Sequence, residues 1–192
     1  MLHVSINADL MEYSMIHCRP FWFAASATLM AAAMAGCAGM PSAAPSAVAQ
    51  VQARSGSQVS GTVSFTPRGD AVVVEASISG LTPGPHGFHV HEAGDCSAAD
   101  ASSAKGHFNP MNHPHGHHGK SERHAGDLPN LTADSNGNAS YRAEVRGVQV
   151  TGGPAGIIGR SVVIHADPDD YQSQPAGNSG RRVGCGIITA RG

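Results

Sequence analysis

From Val59 onward, apolar residues recur at every second position, and this alternation limits the fold more than any other feature of the chain. Val59, Gly61, Val63 and Phe65 alternate with polar neighbours, and Ala71 to Ser79 follows as a run rich in β-branched residues. A period of two sends successive side chains to opposite faces of a strand, which suits a sheet with one face buried. Pro67-Arg68-Gly69-Asp70 reads as the turn between these two strands. Gly87 to His91, Tyr141 to Val150, Ser161 to Ala166 and Val183 to Thr189 read as further strands, and Val48 to Arg54 alternates enough to be a first one. No helical stretch interrupts them. With 24 Gly and 12 Pro in 192 residues, the chain is punctuated by turns and fits one all-β sandwich or barrel domain. A formal charge of -2 gives no basic patch for nucleic acid, so none is expected as a partner.

The first part of the chain reads as targeting and not as fold. Arg19 precedes an apolar run from Phe21 to Ala35 that is short and Ala-rich for a membrane span. The run closes on Met34-Ala35-Gly36-Cys37, which resembles the bacterial lipobox, where the cysteine is lipidated and becomes the new N-terminus. An ordinary signal peptide cleaved near the same place is the alternative, and Met11 or Met15 is a candidate start. The expected organisation is a signal segment over 1–37, a flexible Ala/Pro/Ser/Gln-rich linker over 38–57 that includes a candidate first strand, and a folded domain over 58–192. Export to the periplasm, with contact to the membrane only through the lipid, follows from this reading.

The chain carries 12 His, and nine of them lie between His86 and His124. His89 and His91 stand two apart on an expected strand, so both imidazoles leave the same face. Residues 92–135 are long, polar and aperiodic, a length uncommon in a compact domain unless the loop has work to do. This loop holds His107, His115, His124 and Asp127, and Gly126 is read as the bend that lets His124 and Asp127 converge. His165 ends a later strand. Six histidines with one aspartate suit zinc, copper, iron or nickel, and donor type alone does not choose among them.

Four stretches then make the pattern specific. Gly87-Phe88-His89-Val90-His91-Glu92, Gly106-His107-Phe108-Asn109-Pro110, His124-Ala125-Gly126-Asp127-Leu128 and Gly184-Cys185-Gly186 resemble the signatures of the copper/zinc superoxide dismutases. The similarity runs from about residue 58 to the end, in that family's order and spacing. The resemblance implies an eight-stranded Greek-key β-barrel with long metal-binding and electrostatic loops. It implies one copper on His89, His91, His107 and His165, and one zinc on His107, His115, His124 and Asp127, with His107 bridging the two. It further implies that Asp169 links His89 to His115, that Arg182 docks the superoxide anion, and that copper cycles between Cu(II) and Cu(I) while His107 carries a proton. The family's electrostatic loop bears lysines and glutamates. Here Tyr171 to Gly180 has no charged residue, Ala176 falls where the family has threonine, and Arg181 is an extra cation beside Arg182.

Of the four cysteines, Cys18 falls in the removable segment and Cys37 is the lipidation candidate. Cys96 and Cys185 remain as an even pair in an exported chain, which reads as one disulfide. The tract His113-Pro114-His115-Gly116-His117-His118 leaves His113, His117 and His118 spare and expected at the surface, as candidates for a weak outer metal-collecting site. A metal carrier on the same barrel, without turnover, is the alternative function. Oligomeric state is not readable, and a homodimer stays open.

Overall fold

The computed structural model describes residues 46–191; the signal segment, Cys37 and the first part of the expected linker lie outside them. Nine strands and one 3-10 turn make up the described residues: β1 Ala47–Ala53, β2 Ser60–Arg68, β3 Ala71–Ser79, β4 Gly84–His86, β5 Phe88–His91, the turn Ser102–Ala104, β6 Leu131–Ala133, β7 Ala139–Val145, β8 Ser161–His165 and β9 Arg182–Ala190. Seven of them form one antiparallel sheet in the order β5-β8-β9-β1-β2-β3-β7, and β4 pairs with β6 in a short ribbon. Only Gly87 separates β4 from β5, so the two are one strand that changes partners, and the count is eight in that sense. β6 turns back into β7 over 134–138, so the ribbon links the two edges of the large sheet and closes the barrel.

The alternation seen in the sequence sorts side chains as expected. Val63 and Phe65 on β2, Val74 and Ile78 on β3, and Ala47 and Ala49 on β1 are buried in one core with Phe88, Leu131, Ile157 and Ile188. The β2–β3 hairpin is tighter than the sequence suggests. Arg68 pairs with Ala71, so Pro67 and Arg68 stay in the strand and the turn is Gly69-Asp70 alone, with Gly69 at φ 62°. The expected strand Tyr141 to Val150 stops at Val145, and β4 and β6, of three residues each, have no readable period. Part of the expected linker is β1, a central strand between β2 and β9.

β8 is buried at all five positions, because both of its faces are covered. Val162 and Ile164 point into the main core. Val163 on the other face joins Cys96, Ala101, Ala104 and Cys185 in a second small cluster, which lays the segment 96–104 over the outside of the barrel. The Cys96–Cys185 disulfide, spanning 89 residues, holds it there. In the chain-entropy account, closing a loop of that length stabilises the fold by at most about 4–5 kcal/mol.

Candidate metal centre

The register of β5 against β8 puts the histidines on this outer face. Phe88 pairs with Ile164 and Val90 with Val162, which takes both apolar residues inward and leaves His89 and His91 outside beside Val163 and Ser161. His165, two residues after Val163, shares that face, and a register shift follows Ile164. Three stretches of backbone are knitted over it: Phe108 N donates to Val90 O, Gly126 N to Phe108 O, and Val90 N to Gly126 O, at 2.8–2.9 Å. Gly126 sits in the expected bend, a turn closed by Asp127 N donating to His124 O at 3.1 Å, and it is needed for that approach as well. A Cβ there would lie 2.2 Å from Val90 O.

Three imidazoles of the first group are each fixed by a partner that can only accept a hydrogen bond. His89 Nε2 donates to Asp169 Oδ2 at 2.8 Å, His91 Nδ1 to Lys105 O at 2.9 Å, and His165 Nδ1 to Gly180 O at 3.1 Å. Those bonds select the tautomer, so His89 Nδ1, His91 Nε2 and His165 Nε2 carry lone pairs. These three nitrogens, together with His107 Nε2, are buried and have no hydrogen-bond partner. The donor atoms of His89, His91, His107 and His165 all lie within 4.8 Å of one another. Four buried lone pairs aimed at one point are costly unless a cation occupies it.

His107, His115, His124 and Asp127 form the second group, and His107 belongs to both. Asp127 Oδ1 stands 2.9 Å from His107 Nδ1, 3.0 Å from His115 Nδ1 and 3.4 Å from His124 Nδ1, and the last two rings' neighbour His107 Nδ1 is 3.3 Å from His124 Nδ1. The edge of a tetrahedron around zinc, with bonds near 2.0 Å, is roughly 3.3 Å. The carboxylate is held for this role by Gly116 N and His124 N, which both donate to Oδ2. Asp169 Oδ1 accepts from His115 Nε2 at 2.9 Å while Oδ2 takes His89, so one carboxylate orients a ring from each group. Gly177 packs against this link; a Cβ there would lie 1.8 Å from Asp169 Oδ1, which leaves no room for a larger residue.

Without a metal, protons must serve the same lone pairs, and burial makes that unfavourable in the first group. Desolvation holds His91 and His165 well below the usual histidine range and lowers His89 as well. Burial and the neighbouring His89 bring His107 down to about 3 against the pull of Asp127. In the second group burial also opposes charge, but hydrogen bonds to Asp127 and Asp169 raise His115 to about 9. Histidines with depressed values stay neutral in the fold while the unfolded chain binds protons below about pH 6.5. Their contribution to stability is present above that pH and is lost on acidification towards about 3, at about 1.4 kcal/mol per pH unit for each such group. His115 acts oppositely: its contribution is complete below about pH 6.5 and fades as pH rises through 9. The metal-free protein should therefore lose thermal stability between pH 6.5 and pH 4. A melting temperature that stays level over that range would contradict the burial of neutral imidazoles.

Arg182 lies opposite His165 in the β8–β9 ladder. Its Nη1 donates to Ala101 O at 2.7 Å and its Nη2 to Lys105 O at 2.6 Å, the carbonyl that also receives His91. Ala101 and Lys105 both have positive φ, 58° and 62°, and flank the 3-10 turn that aims these carbonyls. No sequence signal marks a backbone carbonyl, so neither contact was legible beforehand. Nor was that of Gln174, whose side-chain amide accepts from His115 N and donates to His115 O. Arg181 faces away: it lies in the bend before β9, after Gly180 at φ 74°, and its Nη1 donates to Ser55 O. In the His-rich tract, His117 is exposed and His113 and His118 are half-buried. The rings of His117 and His118 lie 4.0 Å apart, tilted by 34°, and pack edge-on to Tyr171, and none of His113, His117 and His118 joins either metal-competent group.

The family model for copper/zinc superoxide dismutase (SODC) matches residues 59–188, the whole barrel apart from β1 and the last residues. The chain belongs to this family. It is also 42% identical over 144 residues to a curated relative from Deinococcus radiodurans named "Superoxide dismutase [Cu-Zn]", a match covering 69% of this chain and 79% of the relative. The dismutase is an oxidoreductase that disproportionates superoxide to oxygen and hydrogen peroxide, and its family uses copper and zinc. The two donor groups fit that pair of metals. Four nitrogens suit copper, and three nitrogens with one carboxylate suit a closed zinc site.

Proposed function

We propose that this dismutase holds copper on His89, His91, His107 and His165, and zinc on His107, His115, His124 and Asp127, with His107 shared. One observation carries the assignment. The four unpartnered, buried ring nitrogens belong to the first set, and the close contacts to a carboxylate belong to the second. When bound, copper supplies the one-electron redox change in both half-reactions, and zinc supplies none. Arg182 docks the anion. Two of its five N–H groups are committed to the Ala101 and Lys105 carbonyls, which leaves three to meet superoxide beside His165. Two divalent cations, once held by these residues, would outweigh His107 as imidazolate, Asp127 and Asp169, and would leave the site with net positive charge for an anionic substrate. His107 Nε2 holds the proton destined for peroxide when that nitrogen is free, while Asp127 and the zinc side keep the ring in place. Metal analysis by mass spectrometry on active protein tests the scheme, with one copper and one zinc per chain expected. Full activity with only one metal-binding equivalent would refute the shared-ligand arrangement.

The same reading places the enzyme in the periplasm, tethered through lipid on Cys37. The Cys96–Cys185 disulfide supports an oxidising compartment, and Met34-Ala35-Gly36-Cys37 supplies the lipidation signal. Cys37→Ser should abolish fatty-acid incorporation and release the protein in soluble form. If labelled fatty acid does not enter the parent protein, the anchor is absent.

A further inference from the structure

The segment that carries His124 is fastened by a guanidinium with no counter-ion. Arg123 is 8% exposed, and its N–H groups run to four backbone carbonyls: Nε to His118 O at 2.9 Å, Nη1 to His124 O at 2.6 Å and Ala125 O at 3.2 Å, and Nη2 to Arg146 O at 2.6 Å. Among the described residues no carboxylate comes within ion-pair distance of it. The charge of Asp127 reaches it, but that carboxylate is taken up by His107, His115 and His124. The hydrogen bonds of Arg123 are satisfied but its charge is not, an expensive state for a buried cation.

A cleft of about 150 Å³ opens beside it, lined by His113, Lys120, Ser121, Arg123, Arg146 and Gly147, with Met111 at its edge and no acidic residue in its wall. Lys120 has no carboxylate in range among the described residues. Arg146 shares only its Nε with Asp70, in a pair exposed 68% and 80% that contributes little and leaves both Nη groups open. The cleft therefore offers the free Nη groups of Arg146, an ammonium, a hydroxyl and an imidazole, with the charge of Arg123 in its wall. That set of donors matches a tetrahedral oxyanion. With roughly 10–15 Å³ of such space needed to hold one water, the cleft has room for one such ion with part of its hydration.

We propose that this cleft binds a phosphate-class oxyanion, either the free ion or a lipid headgroup, which supplies the counter-charge that Arg123 lacks. The site is separate from the docking of superoxide at Arg182 and does not depend on which metal sits on which histidines.

Inorganic phosphate titrated into the metal-loaded full-length protein at constant ionic strength should show one saturable site by calorimetry. A dissociation constant of about 1 mM or tighter is expected, with a melting temperature that rises with phosphate. Lys120 and Arg146 are both exposed, so the double variant Lys120→Gln/Arg146→Gln should keep its fold and activity while binding phosphate at least about tenfold more weakly. Phosphate held at Arg182 instead would bind parent and variant alike, and that result overturns the proposal. Failure to saturate, or an equal effect of chloride, overturns it too. A second arm uses sedimentation with phosphatidylglycerol vesicles against zwitterionic ones. Retention on the anionic vesicles that inorganic phosphate competes away, and that the double variant loses, assigns the headgroup as the source. Phosphate binding without such retention assigns the free ion.

Discussion

Alanine in place of His165 should remove dismutase activity while the protein keeps its zinc. His165 belongs to the four-nitrogen group alone, and its Nε2 is one of the orphaned atoms. Its backbone remains paired with Gly87 and with β9, so the strand survives the loss of the ring. Removing merely an outer partner of a metal ligand typically costs 10–100-fold in affinity or activity, so losing the ligand itself should lower activity more than about a hundredfold. Superoxide removal and metal content are measured on the same preparation. Zinc lost while activity persists would overturn the assignment of His165 to copper.

Asp127→Ala should produce the complementary defect, with zinc weakened more than about a hundredfold and copper much less. The carboxylate contacts all three histidines of the second group and none of the atoms orphaned in the first. The substitution also strands two donors, Gly116 N and His124 N, which lose the Oδ2 that accepts them. Leaving a buried donor unsatisfied costs about 1–3 kcal/mol, so the loop should loosen even without metal. Competition with chelators, run separately for each metal, reads the difference. If copper proves the weaker-held ion in this variant, the two sets are wrongly divided.

The local pattern was enough for much of the fold and for the residue types at the centre. β3 and β8 follow directly from alternation and β-branching, and the two-residue spacing of His89 and His91 already implied a shared face. Such features depend only on a residue's near neighbours, and the period-two geometry of an extended chain carries them. The short ribbon of β4 and β6 is different. Three residues are too few to show a period, and the pairing exists because the barrel needs its edges joined.

The centre divides in the same way. Histidine and aspartate in that spacing pointed to the side chains that could serve a metal, since imidazole nitrogen and carboxylate oxygen are both metal donors. Their convergence came from the pairing of β5 with β8 and from the loop backbone knitted across Val90, Phe108 and Gly126. The carbonyls of Ala101 and Lys105 on Arg182, the amide of Gln174 on His115, and the turning of Arg181 towards Ser55 were decided by tertiary structure alone. A backbone carbonyl is the same group at every residue, and a contact across 59 or 77 positions leaves no local trace. What the sequence determined was the set of donors and the alternation that supports them; which lone pairs meet, and which of the two guanidiniums lies beside His165, was decided only when distant strands came into register.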